Sequence, residues 1–301
     1  MSFSQLKKRT GDFTSLTTKL EKDKSGGFDN AGDKDYWRLT VDDAGNGYAV
    51  IRFLPEVDGE EYPYVILYQH QFKDERTGKW YIENSRTTLG ETDPVAEANS
   101  ELWTTGLEAN KNLARKRKRN KYYISNILVI KDPKNPDNEG KQFKYKYGAR
   151  IFNKIEQALK PEFPDEKPFN PFDLWKGADF KLKARKVDGQ RSYDASSFDA
   201  PAPLFGGDDE ALEKLWKAEF SLKAEIAPDK FKSYDDLKAR FLKATGQAGG
   251  LRNDTPARSE TKTTEAEMEG AVKQDPPKAP AGKPVVDEED LNAKYAALLD
   301  D

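Results

Sequence analysis

Between Ile124 and Tyr147 the chain spells out a β-hairpin. Ile124-Ser125-Asn126-Ile127-Leu128-Val129-Ile130 is apolar and β-branched, and is short enough to be a strand. Asp132 to Gly140 is crowded with Pro, Asn, Asp and Gly, the residues that close tight turns. Gln142 to Tyr147 reads as the returning strand. What precedes the hairpin narrows the possibilities further. Arg115-Lys116-Arg117-Lys118-Arg119 are consecutive cations that local partners cannot all neutralise. From Lys111 to Lys154 fourteen Lys and Arg face three Asp and Glu, although the whole chain has a formal charge of -3. Cations concentrated in one part of an acidic chain point to a polyanionic partner. The interleaving of Lys121-Tyr122-Tyr123 and of Phe143-Lys144-Tyr145-Lys146-Tyr147 suits a single-stranded nucleic acid: cations track phosphates and rings stack on exposed bases. The same residues also fit a solvated loop followed by a strand whose rings face a core.

Other chemistries are excluded by what is missing. The 301 residues contain no Cys, so disulfides and thiolate metal sites are ruled out, and the single His, His70, excludes His clusters and His-dependent triads. There is no phosphate-binding glycine loop, dinucleotide fingerprint or zincin motif. The acidic pairs Asp42-Asp43 and Asp208-Asp209, and the run Glu288-Glu289-Asp290, fall in turn-like or terminal segments. A non-enzyme without cofactor or metal is expected. No apolar stretch approaches membrane-spanning length and the N-terminus lacks a signal-peptide core, so a soluble protein with no membrane partner is expected. Hydrophobic residues make up 36% and charged residues 34%, which leaves part of the chain without a packed core.

Three parts are expected. Residues 1–27 form a basic arm, with Leu6, Phe13, Leu16 and Leu20 on one helical stripe, a Lys7-Lys8-Arg9-Thr10 cluster, and Gly26-Gly27 ending the pattern. Residues 28–250 form the folded core. Strands are expected at 48–54, 64–68, 79–82, 124–130, 142–147 and 179–187, and helices at 149–159, 212–220 and 233–242. The 179–187 segment alternates Phe180, Leu182 and Ala184 with a basic stripe of Lys181, Lys183 and Arg185. Ser233 with Asp236 resembles a capping box. Residues 83–110 break the strand pattern and read as an irregular or weakly helical insertion. Residues 251–301 form a disordered tail in which, from Asp254, twelve acids face six bases and a short acidic helix closes the chain. Tethered beside a basic groove, such a tail can act as a nucleic-acid mimic.

The chain also resembles a known family. Asp43-Ala44-Gly45-Asn46-Gly47 with Ala49-Val50-Ile51-Arg52-Phe53-Leu54-Pro55, Gly78-Lys79-Trp80-Tyr81-Ile82-Glu83, Asn126 to Pro133 and Asn138 to Tyr145 occur in this order. Weaker echoes are Ser192-Tyr193-Asp194 and Lys230 to Tyr234. Together these segments are similar to the single-stranded DNA-binding proteins of T-even-type bacteriophages. The resemblance implies a fold that is mainly β with helical additions (α+β): an OB-fold core with an inserted lobe. It implies a stoichiometric, non-catalytic role in replication, recombination and repair, in the cytoplasm of the infected bacterial host. It implies self-association along DNA through the arm, carried here by Lys7, Lys8, Arg9 and Thr10, and contact of phage replication and recombination proteins with the acidic tail. An RNA-binding or translational-regulatory protein on the same fold is the alternative, ahead of a metal-dependent nuclease.

The nucleic-acid-binding cations expected are Arg115, Lys116, Arg117, Lys118, Arg119 and Lys121, with Lys144, Lys146, Lys183 and Arg185. The expected stacking rings are Tyr81, Tyr122, Tyr123, Tyr145, Tyr147 and Tyr193, with Tyr123 and Tyr145 leading. The family implies zinc held by one His and three Cys. Here the His falls at His70, but the Cys positions fall at Ser85 and within Pro94-Val95-Ala96, so no zinc is expected. Packing of Leu89, Leu102 and Trp103 is expected to hold the insertion instead. Ile124 stands where the family has an aromatic, which removes one stacking surface or moves it to Tyr122 or Tyr123.

Overall fold

The computed structural model describes Phe3, Lys7 and residues 34–247. The expected arm stripe, the cluster at Lys8, Arg9 and Thr10, and the acidic tail from residue 251 lie outside the described residues.

Alternating apolar side chains drive the strands to pair. In chain order they are β1 Gly47–Phe53, β2 Val65–Lys73, β3 Trp80–Asn84, β4 Arg119–Lys131, β5 Gln142–Tyr147, β6 Phe180–Val187, β7 Gln190–Ser192 and β8 Ser197–Phe198. Their order in the sheet is β3-β2-β4-β1-β6-β7, with β5 on β4 and β8 on β6. The long strand β4 is the axis: β2 pairs with its start, β1 with its end, and β5 with its middle, all antiparallel. A strand that exchanges partners along its length curls the sheet. The result is an OB-fold-like half-barrel with helices added around it. The helices are α1 Pro94–Thr104, α2 Glu108–Lys116, α3 Ala149–Leu159, α4 Asp209–Lys217 and α5 Tyr234–Ala244.

One face of the sheet holds the main core, where Phe53, Tyr64, Tyr123, Tyr145, Tyr147, Phe172 and Phe180 pack with Ile151, Phe152 and Ile155 of α3. The other face is also covered. Leu174, Leu204, Leu212 and Trp216 lie on Leu54 and Leu128, and Leu222 and Phe231 lie on Val65, Leu67, Tyr122 and Ile124. Buried Arg52 ties the segments before β6 and after β8 to the sheet, donating to the carbonyls of Asp173 and Ala202 at 2.9 Å each. Gly177 is needed there: a Cβ would stand 2.3 Å from the carbonyl oxygen of Asp173.

The insertion is more regular than its composition suggests. Asp93 caps α1, its Oδ1 accepting from the N–H of Val95 at 3.0 Å and of Ala96 at 3.2 Å, and Pro94 occupies the first turn. Leu102 and Trp103 are only half-buried. Leu89 packs with the Leu222 and Phe231 cluster. The lobe is instead closed by Phe72 and Tyr81 of the β2–β3 hairpin, Val95 of α1, and Phe241 and Ala244 of α5. The helix expected at 212–220 starts earlier, because Asp208 supplies its cap. Ser233 caps α5 as its spacing predicts.

Candidate nucleic-acid interface

The five-cation run is not one loop. Helix α2 ends inside it and β4 begins at its last residue, so successive side chains leave in different directions. Arg115 is exposed on α2. Its Nη1 donates to Glu108 Oε1 at 2.6 Å and Asn112 Oδ1 at 2.7 Å. Its guanidinium lies over the Trp103 ring at 5.3 Å, with Lys111 over the same ring at 5.4 Å. The Arg115 hydrogen bond holds the Glu108 carboxyl below its usual range. Lys116 is exposed and reaches Glu75 Oε1 at 2.7 Å. Arg117 turns inward, donating from Nη2 to Asp74 Oδ2 at 3.0 Å and lying over the rings of Phe72 and Phe241. Burial lowers the Arg117 pKa against the pull of Asp74. Lys118 is half-buried, its pKa lowered by burial and by Arg119. Arg119 stacks on Tyr68 at 4.3 Å. Arg117 is therefore a structural residue of the lobe, and Arg115, Lys116, Lys118 and Arg119 keep an outward component.

The residues that follow were expected to present rings and cations to a strand. Their side chains are packed inward instead. Lys121, Tyr122 and Tyr123 are buried, with Lys121 Nζ 5.3 Å from the Tyr123 ring centre. Tyr147 is buried with its hydroxyl 2.9 Å from Ser125 Oγ, and Tyr145 stacks on it. Burial pushes both phenols well above their usual pKa. On the opposite side of β5, Lys144 Nζ reaches Glu225 Oε1 at 2.7 Å and Lys146 lies over the Tyr122 ring at 3.9 Å. Tyr81 is buried against Phe72 and Phe241, and burial raises its phenol as well. Rings at this depth cannot offer a face to a base, so the free protein uses them as core. The physical reason is that β4 and β5 are covered on both faces, a circumstance that strand alternation alone does not report.

Beyond the basic run, three more of the expected residues reach the surface. Lys183 is exposed on β6, across from half-open Tyr48 of β1. Arg185 is exposed and paired with Asp194, its Nε 3.0 Å from Oδ1. That pairing holds the Asp194 carboxyl well below its usual range. Tyr193 is half-buried, resting on the main core. It is within electrostatic reach of Tyr145, as is Arg191, and Arg150 Nη1 donates to the Arg191 carbonyl at 2.8 Å. The structure thus gathers Tyr193 and Arg191 about Tyr145, with Arg150 fastened to the Arg191 backbone. It also turns Trp80, the neighbour of Tyr81, outward with 60% exposure. The signal available for that was strand parity, since in β3 only one of two adjacent rings can face the lobe.

At Lys7 the structure gives a definite contact. Its ammonium pairs with Asp209 and lies 5.9 Å from the Trp175 ring centre. Phe3 inserts between Trp175 and Trp216, at 5.6 Å and 5.9 Å.

The residues at the zinc position implied by the resemblance do not fit that metal. His70 Nδ1 lies 2.9 Å from the Arg117 carbonyl, and Nε2 lies 3.2 Å from Asp93 Oδ1. Ser85 Oγ donates to Asp93 Oδ2 at 2.9 Å. Both ring nitrogens face protein oxygens, the carboxylate is committed to a helix cap, and no thiolate exists. Among the described residues no group of His, Cys, Asp and Glu is arranged to hold a metal. Burial alone would raise the Asp93 carboxyl; His70, the Ala96 N–H and the Ser85 hydroxyl outweigh it and bring it down to about 2.

Comparison with known proteins agrees with this architecture. Residues 45–245 match the family described as gp32 DNA binding protein like. The chain is 39% identical over 248 residues to the single-stranded DNA-binding protein of Enterobacteria phage T2, covering 80% of both chains. It is 38% identical over 248 residues to the protein of that description in Enterobacteria phage T4, covering 80% of this chain and 79% of the relative. A shorter relative of the same description, from Escherichia phage SV14, is 44% identical over 103 residues, 33% of this chain and 88% of that one.

Proposed function

The chain belongs to the gp32 DNA binding protein like family, and from that premise we propose that it binds single-stranded DNA and coats and protects it during phage replication, recombination and repair. The observation that carries the reading is identity of 39% and 38%, over about four-fifths of each chain, to two proteins described as single-stranded DNA-binding. The role is stoichiometric and non-catalytic: ligand that binds only the open strand shifts the duplex–single-strand equilibrium by mass action. Cations with an outward component, Arg115, Lys116, Lys118, Arg119, Lys183 and Arg185, take phosphates, and Tyr193 offers a ring. The buried tyrosines hold the strands that carry these groups.

Self-association runs through the N-terminal arm, Lys7 to Thr10, and the Phe3 and Lys7 contacts with Trp175, Trp216 and Asp209 support a docking place for it. The acidic tail, residues 251–301, contacts replication and recombination proteins of the phage. Among the described residues no helix is long and apolar enough to cross a membrane, and the place of action is the cytoplasm of the infected bacterial host.

A salt titration tests the reading. Affinity for oligo-dT exceeds that for duplex and falls linearly on a log–log scale, by roughly 0.7 in slope per phosphate contacted. Reversing Arg115 and Lys116 together lowers both affinity and slope. Equal affinity for duplex and single strand, or a slope untouched by the reversal, overturns the assignment of this surface.

A further inference from the structure

We propose that the β2–β3 hairpin is a further base-stacking platform for single-stranded DNA, with Trp80 as the stacking ring and Lys73 and Lys79 as phosphate partners. The proposal rests on the DNA-binding reading above and extends it to a surface that reading does not use.

The first observation is the exposure of Trp80. Strand β3 alternates, so Tyr81 and Glu83 are buried on the lobe side and Trp80 and Ile82 face out. Other tryptophans are accommodated as a large ring should be. Trp37 is buried and its Nε1 donates to Asp132 Oδ2 at 2.9 Å; Trp216 is buried and its Nε1 donates to the Glu56 carbonyl at 2.9 Å. Trp80 remains 60% exposed on a strand whose other face is fully used. An outward ring of that size leaves a flat π-face available to a partner.

The second observation is charge. In the antiparallel register Lys73 stands directly across from Trp80, and Gln71 across from Ile82. Lys79 precedes Trp80 in the chain. Of the three acids of the hairpin, Glu83 lies on the buried face and pairs with Lys232 and Arg240, and the other two turn towards the basic run. Asp74 pairs with buried Arg117 at 3.0 Å and Glu75 with Lys116 at 2.7 Å. What flanks the ring is therefore cationic, the arrangement that reads a base face between two phosphates.

The third observation is continuity and rigidity. The two pairs that absorb the acids also fasten the hairpin to the five-cation run, so ring and run form one surface. Asp74 closes the turn by accepting from the N–H of Arg76 at 3.2 Å and Thr77 at 3.0 Å. The turn is further held to the carbonyls of Ala244 and Thr245 at the end of α5. Arg117, expected to contact nucleic acid, becomes the positioning residue that holds Trp80 in register with Lys116 and Arg119. A platform fixed before binding loses little conformational entropy when a base arrives. An apolar protein partner would not need Lys73 and Lys79 around the ring, and is kept as an outcome of the test.

The test uses the full chain and oligo-dT, read by anisotropy at one fixed salt concentration. Trp80→Ala weakens binding between about five- and about a hundredfold, the range expected for losing one base–ring stack. Trp80→Phe retains a π-face and stays within about threefold of the parent. Both keep the parent melting temperature, since the ring is outside the core. A second variant, Lys73→Glu with Lys79→Glu, lowers the log–log salt slope by roughly one. Unchanged affinity in Trp80→Ala overturns the proposal and leaves the surface to a protein partner, while the parent's own binding keeps the function standing. Equal weakening in Trp80→Phe and Trp80→Ala also overturns it, because the ring face would then not be what matters. Failure of the parent chain to bind oligo-dT removes the function itself.

Discussion

The sheet core and the inserted lobe are held by different physics. Around Phe53 the core is a continuous aromatic mass: Tyr147, Phe172 and Phe180 have ring centres within 5.8 Å of it, and α3 seals the outside. The lobe has a small apolar cluster, Phe72, Tyr81, Val95, Phe241 and Ala244, and beside it two buried polar contacts, Arg117 with Asp74 and His70 with Asp93. The core gains from area removed from water, which varies little with pH. The lobe depends on the Asp74 and Asp93 carboxylates staying ionised, so it is the region expected to open first and to respond to acid.

The largest effect separates the two regions by probe. Phe53→Ala removes a fully buried ring and costs about 4 kcal/mol, as large-to-small changes in aromatic cores do. Chemical denaturation followed by far-UV dichroism and by amide exchange in the lobe falls together, because the lobe is built on the sheet. Exchange in the lobe that survives this change would show that it stands without the core.

Next comes Asp93→Ala, which removes a helix cap and leaves His70 facing an empty partner position. Roughly 3 kcal/mol is expected from a broken buried pair and a lost cap. Here the loss is local: exchange accelerates in α1 and α2 while strands β1 and β4 keep their protection. If the strands lose protection to the same extent, lobe and core form one cooperative unit and the contrast drawn above fails.

The smallest effect is the acid response. Asp93 sits at about 2 in the folded chain and near 4 when unfolded. Its folded value is the lower, so the stabilisation is complete above the unfolded value and is lost as pH falls from about 4 towards 2. The loss is about 2 kcal/mol over that window. Lobe exchange measured down the series accelerates in the parent, and Asp93→Asn flattens the dependence.

Much of this fold was legible because its signals are local. The apolar run at Ile124 to Ile130, the turn after Asp132 and the return to Tyr147 need only neighbouring residues to be read, and β4 and β5 follow them. The same holds for Ser233 as a cap. Facing direction is not local. Phe143, Tyr145 and Tyr147 alternate with Lys144 and Lys146, which ordinarily means one dry and one wet side. Here Phe220 and Glu225, some eighty residues away, meet Lys144 on the side that should have been wet, and Lys146 lies over Tyr122. The basic run illustrates the other limit. Its charge is plain in the sequence, but a helix end falls between Lys116 and Arg117 and sends one guanidinium into the lobe. Tyr81 and Trp80 differ by a single position, and parity alone decides which is core.

Helix α5 closes the lobe over a long stretch of chain, and this bears on how the protein is made. Phe241 packs on Phe72, Tyr81 and Arg117, and Arg76 and Thr77 bond to carbonyls 169 and 167 residues further on. A ribosome delivers these segments at different times. While the chain is being synthesised, the hairpin and its buried Asp74 and Glu83 wait, incomplete, for a helix not yet translated. Closing contacts of such sequence separation are slow to form, and until then Phe72 and Tyr81 are open to chaperones and to neighbouring nascent chains. A message cut short before Tyr234 would therefore yield a lobe with its greasy side uncovered, a ready substrate for quality-control proteases.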